Sequence, residues 1–91
     1  MRLEWTDDAL SDLARLHDFL VIVNPSAAAK AVESLIQAPG RLVEFPRLGE
    51  RLDQYAPHEI RRLIVGRYEI RYEIRNDVIS ILHLFHARED R

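Results

Sequence analysis

The pattern of hydrophobic and polar residues changes from a helical period in the first half of the chain to a strand period in the second half. Residues 59–85 contain three short runs that are rich in Ile, Val, Leu, Tyr and Arg. Gly66-Arg67 and Asn76-Asp77 separate the runs, and Gly, Asn and Asp tolerate the positive φ of a two-residue hairpin turn. The pattern therefore predicts three antiparallel strands joined by tight turns.

The middle run predicts a sheet with one buried face and one face open to solvent, because side chains alternate between the faces of a strand. The turns fix the register, and opposed residues share a face. The expected pairs are Val65 with Tyr68, Leu63 with Ile70, Arg61 with Tyr72, Arg75 with Val78, Ile74 with Ile79, Tyr72 with Ile81, Ile70 with His83 and Tyr68 with Phe85. The buried face is expected to hold Leu63, Val65, Tyr68, Ile70, Tyr72, Ile74, Ile79, Ile81, His83 and Phe85. The other face is expected to hold Ile60, Arg62, Ile64, Glu69, Arg71, Glu73, Arg75, Val78, Ser80, Leu82, Leu84 and His86.

The first half of the chain predicts a short strand and a helix. Arg2–Trp5 is a strand candidate, and Thr6 is expected to cap a helix that begins at Asp7. The apolar spacing is then helical. The expected inner stripe is Leu10, Leu13, Leu16 or His17, Phe19, Leu20 and Val23.

A second helix is predicted to follow directly. Asn24-Pro25 ends the first helix and starts the next, because Asn is a good cap and Pro suits the first helical position. Residues 26–38 are expected to be helical, and Arg41–Phe45 to add one more helical segment. Residues 50–58 are expected to form a polar, irregular connector. The side chains expected to pack inward are Ala28, Ala31 or Val32, Leu35, Ile36, Leu42, Val43 and Phe45.

The element order is β-α-α-β-β-β. It predicts a two-layer α+β fold, with a helical hairpin packed on one face of a mostly antiparallel four-stranded sheet. The chain has 91 residues and is expected to form a single domain over residues 1–91.

Composition excludes several classes of function. The chain has no cysteine, which excludes disulfides, thiolate chemistry and cysteine-based zinc sites. Its four histidines are scattered, so neither a metal nor another cofactor is expected. No apolar run reaches membrane length, and a soluble, cytoplasmic protein that does not interact with membranes is expected. The net charge of −2 is a poor match to a phosphate backbone, although arginines in the second half leave room for a local basic patch.

The face of the sheet expected to be open mixes charged residues with Ile64, Leu82 and Leu84. This is more apolar surface than a solvated face requires, and it indicates that a protein partner covers part of the face. The alternative is that these are scattered exposed apolar residues, which are common on soluble proteins.

Four segments resemble the ParE/RelE toxin superfamily of bacterial type II toxin–antitoxin systems, and together they span most of the chain. They are Asn24-Pro25 with the alanine-rich stretch after it, Phe45-Pro46-Arg47-Leu48-Gly49, Glu59-Ile60-Arg61-Arg62 with the strand Tyr68–Ile74, and the closing segment Leu84–Asp90. The resemblance implies the fold derived above. It also implies a cognate antitoxin as partner, and either DNA gyrase or messenger RNA on the ribosome as target.

The resemblance favours the ParE-like branch, whose members are taken to inhibit DNA gyrase. RelE-like ribonucleases often have a basic residue near the position of Glu69, and some have a terminal His-Tyr pair where this chain has His86 and Ala87. RNA cleavage needs a base, an acid and cations on the phosphate. A ribosome-dependent messenger RNA endoribonuclease is therefore one alternative, with the catalytic candidates Arg62, Arg71 and His86. A non-toxic protein-interaction module is the other. The expected partner- or target-binding residues are Arg62, Ile64, Arg71, Leu82, Leu84, His86 and Arg88.

Overall fold

The computed structural model describes residues 1–87. Two long helices come between the first strand and the rest of the sheet, and short helical turns precede and follow the second strand. The elements are β1 (Arg2–Trp5), α1 (Asp7–Val23), α2 (Pro25–Gln37), a 3-10 turn (Ala38–Gly40), α3 (Arg41–Glu44), β2 (Glu50–Arg51), a second 3-10 turn (Asp53–Tyr55), β3 (Glu59–Val65), β4 (Tyr68–Arg75) and β5 (Val78–His86). This order confirms the predicted fold class.

The sheet has five strands in the order β1-β5-β4-β3-β2, where four were predicted. β1 pairs in parallel with β5, and the other pairs are antiparallel. The additional strand is β2, whose Glu50 and Arg51 lie opposite Arg62 and Arg61. It lies in the segment predicted to be irregular, because a strand of two charged residues is too short to show an alternating pattern.

Both predicted helix starts are confirmed by side-chain caps. The Thr6 hydroxyl oxygen accepts from the N–H of Ala9 at 3.2 Å, and the hydroxyl donates to the carbonyl of Ile81 at 2.7 Å. The Asn24 side-chain oxygen accepts from the N–H groups of Ser26 and Ala27. Thr6 therefore joins the start of α1 to β5, and Asn24 sets the tight connection between α1 and α2.

The core lies between the helices and one face of the sheet. Its buried residues are Ala9, Leu16, Leu35, Leu42, Leu63, Ile70, Tyr72, Ile74, Ile79, Ile81 and Leu84. Each long helix has only two buried residues, Ala9 and Leu16 in α1 and Ala28 and Leu35 in α2. In each pair the residues lie seven positions apart, about two helical turns, so they line up along one narrow side of the helix. The predicted inner stripe is confirmed at Leu16, the first of the alternatives Leu16 and His17. It is wrong at several positions that are exposed: Leu10, Phe19, Val23, Ile36, Val43 and Phe45.

The predicted register is confirmed for β3 with β4, and for the second half of β4 with the first half of β5. It is wrong for residues 68–71 of β4, because a bulge in β5 places Arg71 opposite His83 while Tyr72 remains opposite Ile81. The extra residue shifts every later pair by one position. The pairs found are Ile70 with Leu84, Glu69 with Phe85, and Tyr68 with His86.

In the part of the chain that the structure describes, no helix has the length and hydrophobicity needed to cross a bilayer.

Candidate functional site

The face of the sheet that the helices do not cover is here called the open face. The bulge changes which side chains of β5 lie there. His83 and Phe85 were predicted to be buried, but they lie opposite Arg71 and Glu69 of the open face. The open face includes the side chains of Arg62, Ile64, Glu69, Arg71, His83 and Phe85.

Leu84 was predicted to lie on the open face as a binding residue, and this placement is wrong. Its side chain is 0 % exposed and belongs to the core, because the bulge turns it towards the helices. His86 was also placed on the wrong face. Its ring makes an edge contact with Tyr68, 5.4 Å between centroids, on the side that the helices cover.

The remaining predicted binding residues lie in three different settings. Arg62 lies on the open face opposite Arg71. Ile64 lies on the same face near the end of β3 and is 58 % exposed. Leu82 is the extra residue of the bulge and is half-buried. Arg88 lies outside the described residues.

The centre of the open face is a carboxylate held between two arginines. Glu69 was expected on a solvated face, but it is only 1 % exposed. Arg71 donates to it through Nη2 at 2.7 Å, and Arg62 lies at 3.9 Å through Nη1. Arg62 also donates to Glu50 of β2 at 2.8 Å. Both arginines are therefore engaged by carboxylates of the same chain.

Aromatic rings cover the guanidinium group of Arg71. The group lies 4.9 Å from the centroid of Phe85 and 5.8 Å from that of Tyr55. Its Nη1 donates weakly to the Tyr55 hydroxyl at 3.3 Å, whereas its Nε is buried and has no hydrogen-bond partner within residues 1–87. Stacking on aromatic rings stabilises an arginine cation. Arg71 is thus a packed group whose charge is already paired.

Arg62 is the more accessible of the two cations. Its hydrogen bond to Glu50 raises the pKa of Arg62 above the ordinary value, so the group stays charged over the whole physiological range. Its side chain is about one-third exposed. A partner can therefore reach Arg62 more easily than Arg71, whose side chain is 15 % exposed.

The sequence did not indicate the contact between His83 and Asp12. The imidazole Nδ1 lies 3.1 Å from Oδ2 of Asp12, and the same oxygen accepts from the N–H of Leu84 at 3.0 Å. Asp12 belongs to α1, far away in the sequence, so only the fold brings the two together. The contact joins the helix layer to the outer edge of β5 beyond the end of β1.

A second well-defined region is the edge loop, Phe45–Gly49, which connects α3 to β2. The hydroxyl of buried Tyr72 donates to the carbonyl of Pro46 at 2.8 Å and accepts from the N–H of Gly49 at 2.9 Å. Arg61 donates to the carbonyl of Gly49 at 2.7 Å. Burial raises the pKa of the Tyr72 hydroxyl, so it is neutral at physiological pH and can make both bonds.

Ion pairs support the same loop from the side of β3. Arg47 and Arg61 both contact the carboxylate of Glu59, at 3.0 and 2.8 Å. Burial by itself raises the pKa of Glu59, but the hydrogen bonds and charges of Arg61 and Arg47 outweigh it, and the pKa is lowered overall. Glu59 is therefore charged near neutral pH and links the edge loop to the sheet.

Comparison with known proteins decides the family. The family model described as ParE toxin of type II toxin-antitoxin system, parDE, matches residues 3–91. The chain belongs to the ParE toxin family. It is thus the toxin component of a type II toxin–antitoxin system, as its resemblance implied.

Two known proteins similar to this ParE-family toxin agree with that assignment. Toxin RelE2 of Caulobacter vibrioides is 32 % identical over 83 residues, which is 91 % of each chain. The structure titled Chromosomal ParDE TA system from P. aeruginosa has the same fold, with a TM-score of 0.82 and 24 % identity over 97 % of each chain. This toxin therefore has the same fold as a chain in a solved ParDE structure.

The three catalytic candidates of the ribonuclease alternative do not converge in this toxin. Arg62 and Arg71 lie opposite each other on the open face, whereas His86 contacts Tyr68 on the covered side. A general base must come within hydrogen-bond distance of the proton that it removes. Among residues 1–87, moreover, no three His, Asp or Glu side chains form a group that could hold a metal ion.

Proposed function

We propose that this toxin inhibits DNA gyrase by stoichiometric binding, without catalytic turnover, and that a cognate antitoxin neutralises it in the cytoplasm. The observation that carries the proposal is the buried carboxylate of Glu69. It contacts Arg71 at 2.7 Å at the centre of the face where a ribonuclease would need free cations. An opposite charge at this distance cancels most of the field that a phosphate would feel.

The faces of the sheet support the same conclusion. Cleavage at a 2′-hydroxyl needs a base and an acid near the cations that bind the phosphate. His86 lies on the opposite face from Arg62 and Arg71, so the three cannot act on one phosphate in this conformation. Binding to a protein target requires no such convergence.

Two surfaces suit an antitoxin segment that folds on binding. β1 is an edge strand whose only neighbour in the described sheet is β5, and an extended peptide can add to such an edge. A groove of about 270 Å³ lies between α2 and the β3–β4 turn. Lys30 and Arg67 line this groove, and neither has a carboxylate within ion-pair distance among residues 1–87. An acidic amphipathic segment would complement it.

Two parallel assays test the proposed target. Purified toxin is incubated with gyrase and relaxed plasmid, and separately with ribosomes and messenger RNA. We expect loss of supercoiling while the RNA stays intact. Defined RNA cleavage ends with unimpaired supercoiling would overturn the proposal in favour of the ribonuclease alternative.

Induced expression without an antitoxin tests toxicity itself. We expect growth to stop once the protein accumulates in soluble form. Unimpaired growth at a confirmed soluble level would favour the non-toxic interaction module instead.

A further inference from the structure

The edge loop has a backbone that the rest of the molecule holds in place. Both hydrogen bonds of the buried Tyr72 hydroxyl go to this loop, and Arg61 donates to the carbonyl at its end. Within the loop, the N–H of Leu48 donates to the carbonyl of Phe45 at 3.1 Å. A Cβ atom at Gly49 would lie 2.5 Å from the carbonyl oxygen of Arg62, so the loop lies directly against β3.

This fixed loop exposes large apolar side chains. Phe45 is 55 % exposed and Leu48 is 42 % exposed. A shallow depression of about 400 Å³ lies among the side chains of residues 44–48. Exposed apolar side chains on a rigid backbone bind with little loss of conformational entropy, which is the property of an interface anchor.

We propose that Phe45 and Leu48 are the anchor residues by which the toxin contacts its folded target protein, and that Tyr72 positions them. The inference rests on the proposed function, because it takes gyrase as that target. It adds the surface of contact, which lies at the edge of the sheet next to β2 and away from the open face.

The shape of the loop favours a folded partner over a disordered antitoxin segment. A segment that folds on binding adds to a strand edge or lies in an elongated groove. Neither mode suits the edge loop, because the adjacent edge strand β2 has only two residues and the depression is lined by five consecutive residues only. Two projecting side chains with a shallow depression between them match preformed pockets on a folded surface.

The main test measures inhibition of gyrase holoenzyme on relaxed plasmid with Phe45→Ser, Leu48→Ser and the double variant. We expect each single variant to need at least about tenfold more toxin for half-inhibition, as for anchor residues of other interfaces. Phe19→Ser is the matched control, because Phe19 is even more exposed, at 64 %, but lies on α1. Its inhibition should equal that of the wild type, and circular dichroism should show all variants folded.

The outcomes separate this inference from the proposed function. If the wild type fails to inhibit gyrase, the proposed function falls and this inference falls with it. If the wild type inhibits and the loop variants inhibit equally well, only this inference is overturned. The same holds if Phe19→Ser weakens inhibition as much as the loop variants do.

The Tyr72→Phe variant tests the positioning role. It keeps the buried ring and removes only the hydroxyl, so Phe45 and Leu48 remain present but lose their fixed backbone. We expect faster hydrogen exchange at the Gly49 amide and several-fold weaker inhibition. Faster exchange with unchanged inhibition would show that the rigidity of the loop does not matter for the target.

Discussion

The backbone N–H of Gly49 donates a hydrogen bond to the hydroxyl of Tyr72, with 2.9 Å between the nitrogen and the oxygen. The two residues join the surface loop to the centre of the core, since Tyr72 is fully buried beneath the helices. The contact requires a residue without a side chain. A Cβ atom on Gly49 would meet the Tyr72 oxygen at 2.8 Å and the backbone of Arg62 at 2.5 Å.

Gly49→Ala is therefore expected to destabilise the fold by about 2–4 kcal/mol, because the loop must move away and leave the Tyr72 hydroxyl without its partners. Urea unfolding at pH 7 measures the change. Gly40→Ala is the control. Nothing lies within 4 Å of its added Cβ and its backbone is helical, so it should be neutral or stabilise by less than about 1 kcal/mol. Equal effects of the two substitutions would contradict this account of the loop.

Leu84→Asp should unfold the protein, whereas Ile64→Asp should leave it folded. Leu84 is fully buried in the core, and a charge there has no partner. Ile64 is exposed on β3, where substitutions change stability by about 0.5 kcal/mol or less. Soluble expression and thermal unfolding of both variants check the prediction. A folded Leu84→Asp protein would show that the bulge in β5 is placed wrongly.

Glu69→Ala is expected to cost about 3–5 kcal/mol, because it leaves the covered cation of Arg71 without its carboxylate. Glu50→Ala removes the carboxylate paired with Arg62, but Glu50 is well exposed and the cost should stay below about 1 kcal/mol. Chemical denaturation of both variants gives the comparison. If the two variants lost similar amounts of unfolding free energy, the Glu69–Arg71 pair would behave as a surface ion pair.

The contribution of Glu59 to stability should depend on pH. The pKa of Glu59 is lowered in the folded protein, since burial raises it but the contacts with Arg61 and Arg47 lower it by more. The stabilisation is therefore complete above the unfolded pKa of about 4.3 and is lost as the pH falls through the folded pKa. The difference in unfolding free energy between the wild type and Glu59→Gln should shrink below about pH 4.

Urea unfolding of both proteins between pH 7 and pH 3 measures that difference. Asp53→Asn is a suitable control, because the Asp53 side chain is 91 % exposed and its distance to Arg51 is long at 3.7 Å. A difference for Glu59→Gln that stayed constant down to pH 3 would contradict the role of the carboxylate charge.

Most of the fold was predictable because its signals are local. Thr6 and Asn24 are residue types that favour helix starts, and the side chains of both accept hydrogen bonds from the first helical N–H groups here. The turn residues Gly66 and Asn76 have positive φ values of 60° and 55°, as the two-residue turns require. They set the register of β3 with β4 and the start of β5.

The bulge in β5 was not predictable from the same signals. Ile81, Leu82, Leu84 and Phe85 are all apolar, so the alternation in this stretch fits either face equally well. Two facts settle the choice, and both depend on the tertiary fold. The shifted register puts Leu84 in the core, and it brings His83 to Asp12 of α1. The burial of Glu69 was missed for a related reason, since Tyr55 and Phe85 come close to its partner Arg71 only in the folded chain.

Titration of gyrase with this toxin, at a gyrase concentration far above the dissociation constant, tests the central claim most directly. The claim is that the toxin acts by forming a complex and not by turnover. Supercoiling activity should then fall linearly with added toxin and reach its minimum at a fixed molar ratio that does not change with incubation time. Complete loss of activity at a small, time-dependent fraction of that ratio would contradict the claim, and so would no loss at any ratio.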